Sequence, residues 1–249
     1  PVNEVCFHPN GIVLASCSDD GFIRFYDLIK HSSRKSFRYL QDQVPVLSIS
    51  FHPSGDFLLA GTQHSSPRIY DVHSLACFIP TTSPSSHEGW INCVRYAPNG
   101  DTFATAGSDG TIKIWDAVAG RVLNTISSPH ADLPVMSVRF SRNSRYLLSC
   151  GLDSTGKLWD MTTGKRAVTY SGSNARTARA CMEFSQTEDL VFGCDEASNA
   201  MVCWDTKTGS VLRKFSAHHG AIAWFATSRR DNAVISCSED ARGRIWMPA

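Results

Sequence analysis

The stretch Ala104-Thr-Ala-Gly-Ser-Asp-Gly-Thr-Ile-Lys-Ile-Trp-Asp116 decides the fold of this 249-residue chain. Small and β-branched residues lead into a Ser-Asp-Gly turn, and a second β-branched run ends on Trp115-Asp116. Such runs on either side of a glycine turn predict two antiparallel strands. Residues 91–96 upstream and 121–126 downstream have the same character. The sequence therefore predicts four short antiparallel strands within about 45 residues.

The same unit recurs six times along the chain. An anchor aromatic, followed by Asp in five of the six units, returns at intervals of 44, 45, 44, 45 and 42 residues. An apolar pair lies upstream of each anchor, and its second member precedes the anchor by 19 residues, or by 20 in the fifth unit. This period and strand content are typical of propeller blades, so we expect an all-β fold. The anchors are Tyr26, Tyr70, Trp115, Trp159, Trp204 and Trp246.

Composition limits the classes of protein to which the chain can belong. Hydrophobic residues make up 42% and charged residues 19%, which argues against a disordered chain. The net charge of +1 excludes an overall basic surface of the kind that binds nucleic acid without specificity. No apolar run reaches the roughly 18 residues of a membrane span. We expect one domain over residues 1–249, because all-β domains reach this length.

Nine cysteines are scattered through the chain, and no pair has the spacing Cys-x-x-Cys. This odd count predicts free thiols in a reducing compartment. The best zinc-like pair is Cys194 with Cys203, but no nearby His or Cys completes four ligands, so we expect neither a metal nor a cofactor. Three cysteines share one small-residue position on the second strand of their units and are predicted to pack in the core. They are Cys17, Cys150 and Cys237.

Three units carry a hydroxyl residue, a His, an Asp and a Trp in register. A Ser-His-Asp arrangement can serve nucleophilic catalysis. An active site is needed only once, however, whereas this set repeats with the unit, so the pattern favours a structural role and no enzyme. The sets are His87, Thr105, Asp109 and Trp115; His130, Ser149, Asp153 and Trp159; and His218, Ser236, Asp240 and Trp246.

Two units depart from the set. The second has Ala60 and His64 in the hydroxyl and Asp positions, and the fifth has Gly193 and Ala197. Two interpretations stay open. Either these blades are less well tied, or their loops are reshaped for a partner.

The anchors and the quoted unit resemble the WD-repeat family over essentially the whole chain. In that family the repeated set forms a buried hydrogen-bond chain from Trp through the hydroxyl and the imidazole to the carboxylate. The resemblance implies a propeller that presents a wide surface of loops, and therefore a protein-interaction scaffold.

A sharper resemblance is to the WD-repeat subunits of the cleavage stimulation factor, above all plant and algal members. Segments in several units carry it, including those that depart from the WD pattern. They are Arg34-Lys-Ser-Phe-Arg38, Ser48-Ile-Ser-Phe-His-Pro-Ser-Gly-Asp-Phe-Leu-Leu-Ala-Gly-Thr-Gln-His64, Leu148-Ser-Cys-Gly-Leu-Asp-Ser154 and Asp195-Glu-Ala-Ser-Asn199.

This resemblance implies a nuclear subunit in pre-mRNA 3′-end cleavage and polyadenylation, bound to other subunits of that complex. It also implies seven blades and an N-terminal self-association segment. We therefore expect that the chain lacks this segment and the first blade, and that its sixth unit lacks an outer strand. Contact with RNA is expected to be indirect. The alternatives are an adaptor of another assembly, such as a ubiquitin-ligase substrate receptor, and a propeller hydrolase.

Loop residues outside the repeated set are candidates for partner binding. Trp90 precedes a predicted first strand, and Arg176 and Arg179 occupy the corresponding region of the fifth unit. Trp and Arg dominate the binding energy of many interfaces. We expect these three, with Gln63 and Leu152 around the same rim, to form a binding face.

Overall fold

The computed structural model describes residues 1–29, 35–80, 86–174, 181–216, 218–228 and 231–247. All regular secondary structure in these ranges is β-strand, and the strands form six antiparallel sheets, called blades 1–6 in chain order. The predicted all-β class with six blades is confirmed. The described ranges contain no helix, and so none that could cross a membrane. The chain divides into two compact units, Pro1–Ser127 and Ser128–Ala249, with three blades each.

The first unit holds blades 1–3, each a four-stranded meander in chain order. Blade 1 comprises β1 Val2–Phe7, β2 Val13–Ser18, β3 Phe22–Asp27 and β4 Arg38–Gln41. Blade 2 comprises β5 Val46–Phe51, β6 Phe57–Thr62, β7 Arg68–Asp71 and β8 Cys77–Phe78. Blade 3 comprises β9 Ile91–Tyr96, β10 Thr102–Gly107, β11 Ile112–Asp116 and β12 Val122–Ile126.

The second unit holds blades 4–6, and three strands are described in blade 6. Blade 4 comprises β13 Val135–Phe140, β14 Tyr146–Gly151, β15 Gly156–Asp160 and β16 Lys165–Tyr170. Blade 5 comprises β17 Met182–Phe184, β18 Leu190–Asp195, β19 Ala200–Asp205 and β20 Val211–Ser216. Blade 6 comprises β21 Ile222–Thr227, β22 Val234–Ser238 and β23 Gly243–Trp246.

Every anchor aromatic lies on the third strand of its blade. The preceding turn in blade 3 needs a glycine, because Gly110 has a φ of 74°, which side chains rarely adopt. Asp109 closes this turn by accepting the N–H of Thr111 at 3.0 Å. The turn thereby fixes the Asp109 carboxylate at the start of the anchor strand.

The core of the first unit lies between successive blades. Phe25 of blade 1 packs with Phe51 and Leu58 of blade 2. Between blades 2 and 3, Ile69 lies in one cluster with Trp115, whose ring stacks on Phe103 at 5.7 Å between centroids. A fully buried large apolar side chain contributes roughly 1.5–3 kcal/mol, so these contacts hold the blades face to face.

The second unit repeats this packing. Leu158 and Tyr170 of blade 4 share a buried cluster with Trp204 of blade 5. Met201 of blade 5 shares another cluster with Phe225 of blade 6. In both units a blade buries a face of its sheet by packing it against the next blade, which is the packing requirement of repeat folds.

An ion pair links the first strands of blades 1–3. The Arg95 guanidinium donates two hydrogen bonds to the Glu4 carboxylate, one from Nη1 to Oε2 at 3.2 Å and one from Nη2 to Oε1. Ser48 lies between them, since its hydroxyl donates to Glu4 at 2.7 Å and accepts from Arg95 at 3.0 Å. Both charged side chains are at most 15% exposed, so each charge depends on the other.

Replacing Arg95 by Met should lower the free energy of unfolding by about 3–5 kcal/mol, because Glu4 keeps its buried charge without a counterion. Methionine retains the apolar stem, which separates the loss of charge from the loss of packing. Urea unfolding checks the value. The control is Arg121→Met, at a 68% exposed side chain that pairs with Asp116 at 3.9 Å, where we expect about 1 kcal/mol or less. Equal losses at both positions would contradict the buried-pair assignment.

Candidate functional site

The polar set of blade 3 forms one continuous hydrogen-bond chain. The indole N–H of Trp115 donates to the Thr105 hydroxyl at 2.9 Å, and that hydroxyl lies 2.7 Å from Nε2 of His87. Nδ1 of His87 lies 3.0 Å from Oδ2 of Asp109. A neutral imidazole with its proton on Nδ1 satisfies every contact, because Thr105 then donates to Nε2 and His87 donates to Asp109.

The chain runs from the core to the surface of the blade. Trp115 and Thr105 are fully buried, and the His87 side chain is buried as well, whereas Asp109 is 8% exposed. Burial would by itself raise the pKa of the Asp109 carboxyl. The hydrogen bonds that Asp109 accepts from His87, from the N–H of Glu88 and from the hydroxyl of Thr111 together outweigh burial, so the pKa of Asp109 lies well below its ordinary value. The carboxylate is thus held charged beside its donors.

Blade 4 builds the same chain. Trp159 donates to the Ser149 hydroxyl at 2.9 Å, and His130 lies 2.9 Å from that hydroxyl and 2.8 Å from Asp153. His130 stands five residues before β13, whereas His87 stands four before β9. The extra loop residue leaves the chain from Trp159 to Asp153 intact.

Blade 6 also builds the chain. Trp246 donates to Ser236 at 2.9 Å, and His218 lies 2.8 Å from that hydroxyl and 3.0 Å from Asp240. Burial opposes ionisation of Asp240, but the hydrogen bonds from His218 and from the N–H groups of His219 and Arg242 together lower the pKa of Asp240 to about 2.

The hydroxyls of these chains cannot act as nucleophiles in the folded blades. Thr105, Ser149 and Ser236 are each 0% exposed. Each also holds an indole N–H and an imidazole, so attack on a substrate would break two hydrogen bonds and require an opening in the core. The geometry is that of a structural element, since unsatisfied buried polar groups cost about 1–3 kcal/mol each.

Blade 2 carries the acid and the base in exchanged positions. Asp42 stands four residues before β5, where His87 stands before β9, and His64 occupies the position of Asp109. Nε2 of His64 lies 3.3 Å from Oδ1 of Asp42. The buried end of the pair is therefore the carboxylate, at 7% exposure, and the outer end is the imidazole, at 33%.

The exchange explains the other departures of blade 2. Ala60 has no hydroxyl, and the anchor Tyr70 reaches past it to donate its own hydroxyl to Asp42 at 3.2 Å. Arg68 adds a cation, with Nε 3.5 Å from Oδ2 of Asp42. The blade is tied by a different set of contacts, in which Nε of Arg68 is buried without a hydrogen-bond partner, and the expectation that this blade is less well tied stays a prediction. Sequence analysis missed Asp42, although counting back four residues from β5 would have found it.

Blade 5 replaces the chain with backbone contacts. The indole N–H of Trp204 donates to the carbonyl of Ser171 at 2.8 Å. Gly193 leaves room for that ring, because a Cβ there would lie 2.9 Å from it. Asp195 accepts the N–H of Asn174 at 3.0 Å and pairs with Lys214 at 3.1 Å. The anchor is again satisfied, without the hydroxyl or the imidazole.

The cysteines serve mainly as core residues. Cys17 and Cys150 are buried, and burial raises the pKa of both thiols, so they stay neutral. Cys237 is exposed, which corrects the prediction that it packs in the core. In β22 of blade 6 it faces away from the buried Ser236 and Val234. Among the described residues, no three His, Cys, Asp or Glu side chains could hold a metal, and Cys194 and Cys203 gain no further ligand there.

The candidate binding residues fall in different parts of the chain. Trp90 is 52% exposed, and its backbone exchanges two hydrogen bonds with Ser108, at 2.7 and 2.8 Å. Gln63 lies in the same unit as Trp90. The loop that contains Gln63 contacts the loop before Trp90, because the backbone N–H of His87 donates to the carbonyl of Ser65 at 3.0 Å. Leu152 occupies the position of Gln63 within its own blade 4. Arg176 and Arg179 lie outside the described residues.

Comparison with known proteins defines the class. The sequence model described as "WD domain, G-beta repeat" matches residues 1–27, 35–71, 78–116 and 120–160, more than half of the chain. The chain therefore belongs to the WD-repeat family.

Individual members of this family differ in how much of the chain they match. Cleavage stimulation factor subunit 50 of Arabidopsis thaliana is 45% identical over 99% of this chain and 58% of its own length. Guanine nucleotide-binding protein subunit beta-2 of Caenorhabditis elegans is 35% identical over 46% of this chain and 30% of its own. Pre-mRNA-processing factor 19 of the same organism is 29% identical over 46% of this chain and 23% of its own. The chain thus spans 58% of the first relative and less of the others.

Replacing Trp115 or Asp109 by Ala should destabilise the protein by about 2–5 kcal/mol. The first change opens a cavity beside Phe103, and the second leaves His87 and two N–H groups without their acceptor. Thermal and urea melts check both values. Asp101→Ala, at an exposed carboxylate in the turn between β9 and β10, serves as the control for loss of an aspartate. Melts unchanged from the parent protein for either variant would contradict the assignment of this chain of hydrogen bonds.

The exchanged pair of blade 2 should behave as a coupled unit. Asp42→His places two imidazoles beside Arg68, and His64→Asp places two carboxylates together, so each single change is unfavourable. The double exchange restores opposite partners, and a double-mutant cycle should give a coupling energy of about 1–3 kcal/mol.

The exposed pair His73 and Asp56 has the same residue types at 3.5 Å and provides the matched control. Its side chains are 79% and 55% exposed, so its cycle should give about 0.5 kcal/mol or less. Equal coupling at the two pairs would show that the exchange in blade 2 is not a specific interaction.

Proposed function

We propose that this chain is the WD-repeat scaffold of a cleavage stimulation factor and acts in pre-mRNA 3′-end cleavage and polyadenylation by binding proteins. The observation that carries the proposal is the 45% identity to Cleavage stimulation factor subunit 50 over 99% of the chain. Shorter matches to other WD-repeat proteins cover less than half of the chain, which is what a shared fold alone produces.

The chemistry of the described residues supports a scaffold over an enzyme. The residues that could form Ser-His-Asp sites are closed into the repeated hydrogen-bond chains, with their hydroxyls buried. A scaffold needs rigid, exposed side chains instead, because preorganised groups lose little entropy on binding.

Trp90 has these properties and is proposed as a binding residue. Its backbone is held on both sides by Ser108, while half of its side chain is open to solvent. Gly89 permits this close approach, since a Cβ there would lie 2.3 Å from the Ser108 hydroxyl. Gln63 and Leu152 are proposed as further contacts in their own units, and the proposal does not rest on Arg176 or Arg179.

The partners proposed are the other subunits of the factor, in the nucleus. RNA is proposed to be bound through those subunits, in agreement with the net charge of +1. Self-association through a segment outside this chain, and a seventh blade, remain predictions. They are compatible with the 58% coverage of the plant relative.

Affinity purification from nuclear extract, with bound proteins identified by mass, tests the function. We expect subunits of the 3′-end processing complex to co-purify with the protein. Trp90→Ala should weaken their capture by about tenfold while the thermal melt stays unchanged, since hot-spot residues contribute more than about 1 kcal/mol.

Leu123→Ala is the matched control, because Leu123 is 51% exposed and lies on β12, away from the loops around Trp90. Recovery of a different assembly by the parent protein would refute the proposed function. Equal recovery with Trp90→Ala and Leu123→Ala would reject Trp90 as a binding residue.

A further inference from the structure

A cavity of about 640 Å³ opens between blades 2 and 3 of the first unit. It lies at the end of the strands opposite to Trp90, because His52 and Gly100 follow first strands and Val118 follows the third strand of blade 3. Its volume is within the range of about 300–1,000 Å³ that is usual for ligand sites. We call it the blade 2–3 groove.

The groove has an apolar floor and an exposed apolar rim. Ile69 and Tyr96 form the floor and are each 8% exposed. The rim is more open: Phe57 is 36% exposed, Phe78 52%, Ile79 47% and Val118 94%. Four large apolar side chains that converge on one concave site are unusual for a surface without a partner.

Aromatic rings close one end of the groove. The His52 ring lies edge-on to Tyr96, with centroids 5.0 Å apart. Its Nδ1 contacts the Ser54 hydroxyl at 2.8 Å and its Nε2 contacts the Gly100 carbonyl at 3.2 Å. Both ring nitrogens of His52 are occupied, so this side chain offers a ligand only aromatic contact.

One charged group lines the groove. Asp56 is the single carboxylate among its described lining residues, and neither Lys nor Arg is found among them. Nε2 of its partner His73 lies 3.5 Å from Oδ1 of Asp56. The Asp56 side chain is 55% exposed and the His73 side chain 79%. A solvent-exposed ion pair of this kind contributes little to stability. Asp56 can therefore accept hydrogen bonds from a cation of a bound ligand.

We propose that the blade 2–3 groove docks a protein segment that presents one large apolar side chain beside an Arg or a Lys. The apolar side chain enters between Phe57, Ile69 and Tyr96, and the cation pairs with Asp56 at the mouth. Charge complementarity selects this occupant over an acidic segment or a nucleic acid, because the described lining residues include one carboxylate and neither Lys nor Arg. The inference goes beyond the proposed function and depends only on the geometry of the first unit.

Fluorescence polarisation with three labelled peptides tests the inference. The probes are Ala-Arg-Phe-Arg-Ala, Ala-Gln-Phe-Gln-Ala and Ala-Glu-Phe-Glu-Ala, which share the aromatic residue and differ in charge. We expect the Arg peptide to bind about tenfold more tightly than the Glu peptide, and Asp56→Asn to reduce this ratio to about twofold. Equal binding of the three peptides, or no binding of any, would overturn the proposal.

A pair of charge-matched variants locates the site. Val118→Lys adds a cation at a rim residue that is 94% exposed, so the fold should be retained. The added charge should weaken binding of the Arg peptide by about tenfold. Leu123→Lys adds the same charge to the same blade outside the groove and should change binding by about twofold or less. Equal effects of the two variants would place the peptide elsewhere.

The outcome is independent of the 3′-end function, because no subunit of that complex takes part in the assay. A single-stranded RNA oligonucleotide that binds in competition with the Arg peptide would also overturn the proposal, since the groove would then accept an anion.

Discussion

The rest of a blade depends on an acceptor for the polar group of its buried anchor, and in blade 3 that acceptor is the hydroxyl of Thr105. This hydroxyl accepts a hydrogen bond from the Trp115 indole N–H on one side and contacts the His87 imidazole on the other, so one buried group joins two strands and a loop. The large apolar anchor can be buried only because its N–H finds this acceptor. Packing between blades then follows, since Trp115 stacks on Phe103 and lies against Ile69 of the preceding blade.

The departures from this arrangement show which part of it is required. In blade 2 a tyrosine reaches directly to a carboxylate, and in blade 5 an indole reaches a backbone carbonyl. The hydroxyl and the imidazole are therefore replaceable, whereas an acceptor for the anchor's polar atom is present in both cases. The buried donor of the anchor must have an acceptor in every such blade, but the group that supplies the acceptor differs from blade to blade.

The spacing of the anchors predicts the blades because a meander of four strands has a nearly constant length. The polar sets of blades 3, 4 and 6 were also predictable, because their residues recur at matching positions of the repeat. The exchange of Asp42 and His64 was not predicted, because a position-by-position reading sees two mismatches where the fold has one pair. Cys17 and Cys150 are buried against the blade that follows theirs, whereas no blade after blade 6 is described, so Cys237 at the same position is exposed. The blade 2–3 groove was missed for a related reason: Phe57, Phe78 and Val118 are ordinary residues in sequence and converge only in space.

The exchanged acid and base of blade 2 also bear on how such a protein can change over time. A step from one order to the other by single substitutions passes through two carboxylates or two imidazoles at touching positions. Either intermediate loses the pairing that a buried charge needs. We therefore expect the order of acid and base in a blade to change only when both positions change together, or when one of them first becomes neutral. A pair that stabilises the blade in this way constrains the substitutions its two positions can accept, whatever the blade binds.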